Sequence, residues 1–222
     1  MVWNYDKNII FIHIPKTGGT SVESYLNLKT KDKSKFDKIG YGIKYINGKK
    51  KALQHLTVGE INDYIGNQKF NQMIKFTIVR NPFSKIVSEF SHFTNLSGPK
   101  YHGNESPLIK NGELITDFDK FLDHVDHIVN NNLYDDNVFY DHFRPQSDFV
   151  KINNKIIVDT VFKFENLNEV KYFLKIICPK DTSDFPHAQK RRKKQIKLSP
   201  DQKKKIYNIY QKDFQLFNYK FT

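Results

Sequence analysis

A short polar segment, Pro15 to Ser21, carries the residue types that bind anions. It holds one cation, two glycines and three hydroxyl side chains: Pro15, Lys16, Thr17, Gly18, Gly19, Thr20 and Ser21. A β-forming run precedes it and a segment with helical spacing follows, and such a junction directs backbone N–H groups and a helix N-terminus at an anion. The lysine precedes the glycines, whereas it follows them in the Walker A pattern G-x-x-x-x-G-K-[ST]. The sequence therefore predicts a phosphate-type site that differs from that of ordinary ATPases and GTPases.

A second junction, within Val79 to Phe90, adds an arginine and a serine. Arg80 follows an apolar run, and Ser88 lies about two turns into the helix that Asn81-Pro82 begins. A guanidinium fork together with a hydroxyl suits a second, separate phosphate. The alternative is that Arg80 pairs with a carboxylate and that Ser88 lies on a helix surface.

The elements that must position these residues alternate along the chain. Strands are predicted over 9–14, 73–79, 149–152 and 156–164, with a hairpin turn at Asn47-Gly48. Helices are predicted over 20–28, 57–65, 81–93, 116–130 (capped by Thr116), 166–177 and 199–217. This order favours an α/β fold of P-loop-like, three-layer type, with a central, mainly parallel sheet flanked by helices. We expect residues 1–222 to form one domain whose ligands bind at the carboxyl ends of the strands.

Composition and charge limit the possible classes of protein. The chain has 222 residues, a net charge of +12 and one cysteine, which excludes an intrachain disulfide framework. Eleven Lys or Arg residues against two Asp lie between His187 and Thr222, and the densest run begins with Lys190, Arg191 and Arg192. Such a run indicates an anionic partner. Since no apolar stretch reaches 18 residues and no secretory-signal pattern begins the chain, we expect no membrane span and a cytoplasmic location.

The motifs together resemble the sulfotransferase superfamily, in the branch of heparan and chondroitin O-sulfotransferases and their bacterial and viral relatives. The resemblance covers nearly the whole chain, in the family's order. It rests on P-K-T-G-G-T-S at 15–21, V-R-N-P-x-x-K-x-x-S-x-F at 79–90, Q-H-L-T at 54–57, R-P-Q-S-D-F at 144–149, F-K-F-E-N-L at 162–167, F-P-H at 185–187 and the ending 210–219. The segments 29–51 and 95–140 depart from the family pattern, and acceptor recognition is expected there.

The resemblance implies transfer of a sulfuryl group from 3′-phosphoadenosine-5′-phosphosulfate (PAPS), leaving 3′-phosphoadenosine-5′-phosphate (PAP). The expected acceptor is a hydroxyl, or less readily an amine, of a carbohydrate such as an anionic glycan. The 15–21 loop would bind the 5′-phosphosulfate, with Lys16 at the leaving oxygen. Arg80 and Ser88 would bind the 3′-phosphate, and at least one residue of the run Lys190–Lys193 would reach the 3′-phosphate or the adenine. No metal is required by this chemistry, and a surface or core role is predicted for the pair His124 and His127.

A hydroxyl acceptor benefits from a general base, and His55 is the first candidate because it matches a family position where a base is found. His187 is the second candidate, while Glu89 and Glu165 are further alternatives. His13 is expected to be structural. Gln146 and His187 are also predicted to contact the acceptor.

Two other functions compete with sulfuryl transfer. A P-loop-like kinase or nucleotide hydrolase would need a Walker B carboxylate, which Asp159, after an apolar run, superficially supplies. A nucleic-acid-binding protein would use the basic C-terminal region and would not need the 15–21 loop. Preference for PAP over ATP separates the three, and no nucleic-acid partner is expected under the first.

Overall fold

The computed structural model describes residues 2–26, 40, 42–96, 106–110, 112–179 and 196–221. Within these residues the strands are β1 (Val2–Asn4), β2 (Ile9–Ile12), β3 (Ile43–Ile46), β4 (Lys49–Ala52), β5 (Ile74–Val79), β6 (Ile109–Lys110), β7 (Glu113–Leu114), β8 (Lys151–Ile152), β9 (Lys155–Ile156) and β10 (Thr160–Lys163). The α-helices are α1 (Gly19–Tyr25), α2 (Val58–Ile65), α3 (Asn67–Gln72), α4 (Pro82–Ser91), α5 (Phe118–Asn130), α6 (Gln146–Phe149), α7 (Leu167–Ile177), α8 (Pro200–Ile209) and α9 (Gln211–Leu216).

The central sheet has the strand order β1-β2-β5-β10. Strands β2, β5 and β10 run parallel, and β1 pairs antiparallel with β2 at one edge. All four residues of β2 are buried, as are five of the six residues of β5. Continuous burial of this kind is typical of parallel strands that helices cover. The predicted α/β fold with a mainly parallel sheet is therefore confirmed.

Two predicted strands near residue 155 have different bounds in the structure. Phe149 ends α6 instead of beginning a strand, and the run 156–164 is broken, so that only Thr160–Lys163 joins the central sheet. Asn153 and Asn154 both adopt left-handed φ, of 50° and 63°. They close the two-residue turn of the separate hairpin β8–β9, as asparagine does in type I′ turns.

Two helix ends also differ from the prediction. The N-cap of α5 is Asp117 and not Thr116, since the Asp117 carboxylate accepts from the backbone N–H of Lys120 at 2.9 Å. The predicted helix 199–217 is divided at Tyr210 into α8 and α9. Tyr210 is buried and its hydroxyl donates to the carbonyl of Phe143. We attribute the break in the helix to this contact.

The chain divides into two compact units. The first comprises Met1–Arg80 with Asp148–Lys190, and the second comprises Asn81–Ser147 with Arg191–Thr222. The first unit contains the central sheet and has a core that includes Ile9, Phe11, Val22, Phe76, Ile78, Val170 and Leu174. The second has a core that includes Phe83, Phe90, Phe121, Leu122, Phe143, Ile206 and Phe214. None of the helices in the described ranges has the length and apolar character needed to cross a bilayer.

Candidate functional site

Three parallel strands of the first unit end at the same edge of the sheet, and their following residues meet there. The register pairs Ile12 with Thr77 and Val79 with Lys163, so the chain leaves β2, β5 and β10 on one side. The Arg80 guanidinium, after β5, lies over the Phe164 ring, after β10, at 4.4 Å from Cζ to the ring centroid. Its Nη1 donates to the carbonyl of Lys16, in the loop after β2, at 3.0 Å. The structure thus brings Lys16 and Arg80 together, as the sequence predicted.

The backbone of the 15–21 loop is bent by left-handed residues. Lys16 has φ 63° although it is not glycine, and Gly18, the N-cap of α1, has φ 90°. The Thr17 hydroxyl is fully buried and donates to the carbonyl of Ile14 at 2.8 Å, so it holds the loop instead of pointing outwards. The residues of the loop that are partly exposed are Lys16, Gly18, Thr20 and Ser21. The loop groups that remain available for an anion are therefore the ammonium of Lys16, the hydroxyls of Thr20 and Ser21, and the backbone at Gly18.

Gly19 leaves the backbone bare because no side chain fits there. A Cβ on Gly19 would lie 2.1 Å from Cδ2 and 2.2 Å from Nε2 of His13. At Gly18 a Cβ would lie 3.1 Å from the Phe164 ring, on a backbone whose positive φ already disfavours side chains. Both glycines are required by contacts at the loop, and an anionic ester fits such a loop better than a neutral group does.

A buried histidine–glutamate pair lies next to this loop. The Nδ1 of His13 and the Oε1 of Glu23 are 2.6 Å apart, and the two residues are only 8% and 3% exposed. Glu23 lies one turn after Gly19 on α1, so the His13 ring extends from the end of β2 across the helix start. This placement supports the structural role predicted for His13. Sequence reasoning missed Glu23, because no local pattern in the sequence indicates that it pairs with His13.

His55 lies beside the same pair. It ends a short 3₁₀ helix, Leu53–His55, and its Nδ1 is 3.1 Å from the carbonyl oxygen of His13. Because a carbonyl only accepts, Nδ1 carries the proton, and Nε2 is then the nitrogen that holds the lone pair in the neutral ring. The rings of His55 and His13 meet edge to face at 5.0 Å between centroids. His55 therefore has the tautomer that a general base acting through Nε2 requires.

The segment around His55 is fixed on both sides. Before it, Lys51 is buried and its Nζ lies 2.9 Å from Oε1 of Glu60. After it, Thr57 begins α2 with a capping box, in which the other oxygen of Glu60 accepts from the Thr57 N–H at 2.8 Å. Glu60 thus joins both flanks of the segment that carries His55, and the capping box predicted at Thr57 is confirmed.

The second unit holds several of the residues that the sequence singled out. Ser88 is half-buried on α4. Glu89 is fully buried between the Lys85 ammonium at 3.2 Å and His142 Nδ1 at 2.8 Å. A carboxylate held by two such partners is poorly suited to remove a proton from an acceptor, so we do not propose Glu89 as the general base. His124 is buried and its Nε2 donates to the carbonyl of Pro107, which agrees with a core role.

Gln146 is fully buried, and this changes its interpretation. Its backbone N–H donates to Oδ2 of Asp213 at 2.8 Å, and the N–H of Ser147 donates to Oδ1 at 2.8 Å. Burial raises the pKa of the Asp213 carboxyl, and these two N–H groups lower it in part. Gln146 therefore begins a short helix whose first N–H groups are capped by the Asp213 carboxylate. We do not propose a contact between Gln146 and the acceptor.

Asp159 lies at the wrong edge of the sheet for a Walker B carboxylate. Its Oδ2 accepts from the backbone N–H of Lys75, near the start of β5, at 2.7 Å. It also directly precedes β10, whereas ligands meet parallel sheets at the carboxyl ends of the strands. The principal observation in favour of a kinase or hydrolase is thereby removed.

The remaining predicted residues can be placed only in part. His187, Lys190, Arg191 and Arg192 lie outside the described residues. Glu165 is exposed, and it follows Phe164, whose contact with Arg80 the sequence did not predict. Within the described part of the chain, no group of three or more His, Cys, Asp or Glu is arranged to hold a metal ion.

The comparisons with known proteins agree with this geometry. A family model described as "Sulfotransferase family" matches residues 1–220, nearly the whole chain, so the resemblance seen in the motifs is confirmed. Searches of curated proteins and of solved structures returned no match.

Proposed function

The chain belongs to the sulfotransferase family, and from this premise we propose that it transfers a sulfuryl group from PAPS to a hydroxyl of a carbohydrate, with an amine as the less favoured acceptor. PAPS supplies the sulfuryl group in activated form on a 5′-phosphate. One observation carries the proposal: the left-handed Lys16 is tied by its carbonyl to Arg80, beside the bare backbone of Gly18 and Gly19. The backbone that carries the Lys16 side chain and the loop N–H groups is thus held before any ligand arrives.

Lys16 is proposed to neutralise the charge that develops on the leaving oxygen. Fixed donors and cations of this kind act best when they need no reorganisation during the reaction. The remaining loop residues, Pro15 and 17–21, are proposed to surround the 5′-phosphosulfate, with Thr20 and Ser21 as the hydroxyl donors that are partly exposed. Thr17 contributes by holding the loop through Ile14.

Arg80 is proposed to have two roles. A guanidinium has five N–H donors, and one of the two on Nη1 bonds the Lys16 carbonyl. The proposal keeps the predicted role of its charge at the 3′-phosphate and adds the positioning of Lys16. The assignment of Ser88 to the 3′-phosphate, and of Lys190, Arg191 and Arg192 to the nucleotide, stays a prediction from the sequence.

His55 is proposed to be the general base. Its Nδ1 is engaged by the His13 carbonyl, so Nε2 is the atom that would take the proton of the acceptor hydroxyl. In the proposed step the acceptor oxygen bonds to sulfur, the bond between sulfur and the 5′-phosphate oxygen breaks, PAP leaves, and the acceptor proton moves to Nε2. His187 stays the second candidate.

A hairpin before His55 supports an anionic carbohydrate as the acceptor. Strands β3 and β4 pair so that Ile43, Tyr45 and Lys50 share one face, and Tyr45 is 76% exposed and Ile43 47% exposed. The ten residues 43–52 contain four lysines and no carboxylate. An exposed ring opposite the Lys50 side chain suits a sugar ring that carries negative charge, because the aromatic ring covers its C–H face and the ammonium pairs with the charge.

Nucleotide binding measured by calorimetry tests the proposed donor. PAP should bind at least about tenfold more tightly than AMP or ATP, since only PAP places a phosphate at each end of the nucleoside. Magnesium should leave the PAP affinity unchanged. Tighter binding of ATP than of PAP, dependent on Mg²⁺, would support the kinase or hydrolase instead and would overturn the proposal.

A further inference from the structure

The His13–Glu23 pair connects two parts of the candidate site that the chain separates. Through its ring, His13 contacts α1 at Glu23 and at Gly19. Through its carbonyl, the same residue accepts the Nδ1–H of His55. One residue therefore links the start of the helix that follows the Lys16 loop with the candidate base.

The position of the His13 ring is fixed on several sides. Glu23 Oε1 accepts from Nδ1 at 2.6 Å, and the ring lies against Gly19 so closely that a Cβ there would be 2.1 Å from it. The Phe11 ring stacks on it at 5.6 Å with an interplanar angle of 22°, and the His55 ring meets it at 5.0 Å. Small displacements of this imidazole would consequently be passed to its neighbours, because packed interiors do not deform freely.

The ring itself is badly placed for catalysis. Its Nε2 lies against the backbone of Gly19, where a Cβ would be only 2.2 Å away, and its Nδ1 is bonded to Glu23. An acceptor hydroxyl has no access to either nitrogen in this arrangement. The pair therefore acts through other residues.

We propose that Glu23 and His13 are positioning residues for the reaction. They hold the Lys16 loop in place relative to His55, and they keep His55 in its Nδ1–H tautomer. This inference rests on the proposed function. It differs from a purely structural role, because a structural pair would stabilise the fold without affecting the state of His55.

Substitutions at Glu23 test the inference. Glu23→Gln keeps an oxygen that accepts from His13 Nδ1, whereas Glu23→Leu has similar volume and no acceptor. The tautomer of His55 is read by ¹⁵N NMR of the imidazole, with the signal identified by its absence in His55→Ala. In Glu23→Leu we expect His55 to lose its single Nδ1–H form and kcat to fall about 10²-fold, as for a misplacement of about 1 Å. Glu23→Gln should restore both.

The second buried Glu–His pair provides a matched control. Glu89 and His142 lie 2.8 Å apart in the other unit, so Glu89→Leu removes the acceptor from a similar pair, as Glu23→Leu does, and should lower stability without changing the His55 tautomer. If Glu23→Leu does not fold, Glu23→Asp takes its place, since it shortens the side chain by one methylene and keeps the charge.

The inference is overturned if Glu23→Leu, or Glu23→Asp in its place, leaves the His55 tautomer and kcat as in the wild type while stability falls as in the control. The NMR signal does not depend on turnover. Absence of sulfuryl transfer in the wild type would therefore contradict the proposed function, and an unchanged tautomer would contradict the positioning role.

Discussion

Lys16 depends on its backbone as well as on its charge. A left-handed conformation costs a non-glycine residue on the order of 1–3 kcal/mol, and it persists only where neighbours hold it. Here the Arg80 guanidinium bonds the Lys16 carbonyl, and the Thr17 hydroxyl bonds the Ile14 carbonyl. Strain that neighbours maintain at a proposed catalytic cation indicates that the loop is set before ligand binding.

Asp213 is a buried residue that makes the free energy of unfolding depend on pH. Burial raises the pKa of its carboxyl above the ordinary value of 3.8 in the folded protein. The folded state therefore takes up the proton before the unfolded state does. Its contribution to stability is fully present below pH 3.8 and is lost as the pH rises through the raised pKa.

The variant Asp213→Asn tests this sign. As the pH falls towards 3.8, the free energy of unfolding of the wild type should increase relative to that of the variant. Near neutral pH the variant also loses one of the two N–H contacts at Gln146 and Ser147, at a cost of about 1–3 kcal/mol. Denaturant unfolding at several pH values measures both effects. Asp63→Asn, at an exposed position, is the control, and an identical pH dependence in wild type and Asp213→Asn would refute the account.

At the scale of elements, the carboxyl ends of three parallel strands bring the site together. The apolar runs of β2 and β5 and the loop motif were readable from the sequence, because burial on both faces and anion binding leave local signals. The contact of Arg80 with Phe164 was not readable, since it depends on β10 lying beside β5. The position of Asp159 was not readable for the same reason: that it precedes β10, away from the carboxyl ends of the strands, appears only when the break before β10 is known.

The hairpin β3–β4 is the element with the clearest link to the acceptor. The double variant Tyr45→Ala/Lys50→Met should weaken binding of a glucuronate-containing tetrasaccharide about tenfold, because it removes the exposed ring and an ammonium on the same face. Fluorescence anisotropy of the labelled saccharide measures the effect, with a neutral tetrasaccharide and a single-stranded oligonucleotide as comparisons.

A matched control for the hairpin lies on α7. Tyr172 is 70% exposed and Lys175 is also exposed one turn away, so Tyr172→Ala/Lys175→Met removes the same groups elsewhere in the first unit. This control should bind the saccharide as the wild type does, and both variants should keep the wild-type affinity for PAP. Equal loss in the two double variants, or tighter binding of the oligonucleotide, would count against the hairpin.

At the scale of the whole molecule, the positive charge is distributed in a way that fits an anionic donor and an anionic acceptor. The chain has a net charge of +12, with lysine-rich stretches in the hairpin and in the segment 190–194. The sequence predicted the fold class and the family, because the strand–loop–helix order and the two phosphate motifs are strong and ordered signals. It did not predict Glu23 or the burial of Gln146, since both depend on contacts between distant segments.

The central claim is that the chain moves a sulfuryl group from PAPS and that Lys16 acts on the leaving oxygen. The most direct measurement is transfer of ³⁵S-labelled sulfate from PAPS to a panel of hydroxyl and amine acceptors, with PAP formation followed in parallel. The wild type and the exposed-lysine control Lys7→Met should transfer label at similar rates, and Lys16→Met should be slower by roughly 10²–10³. Absence of transfer to every acceptor, or a wild-type rate in Lys16→Met, would contradict the account.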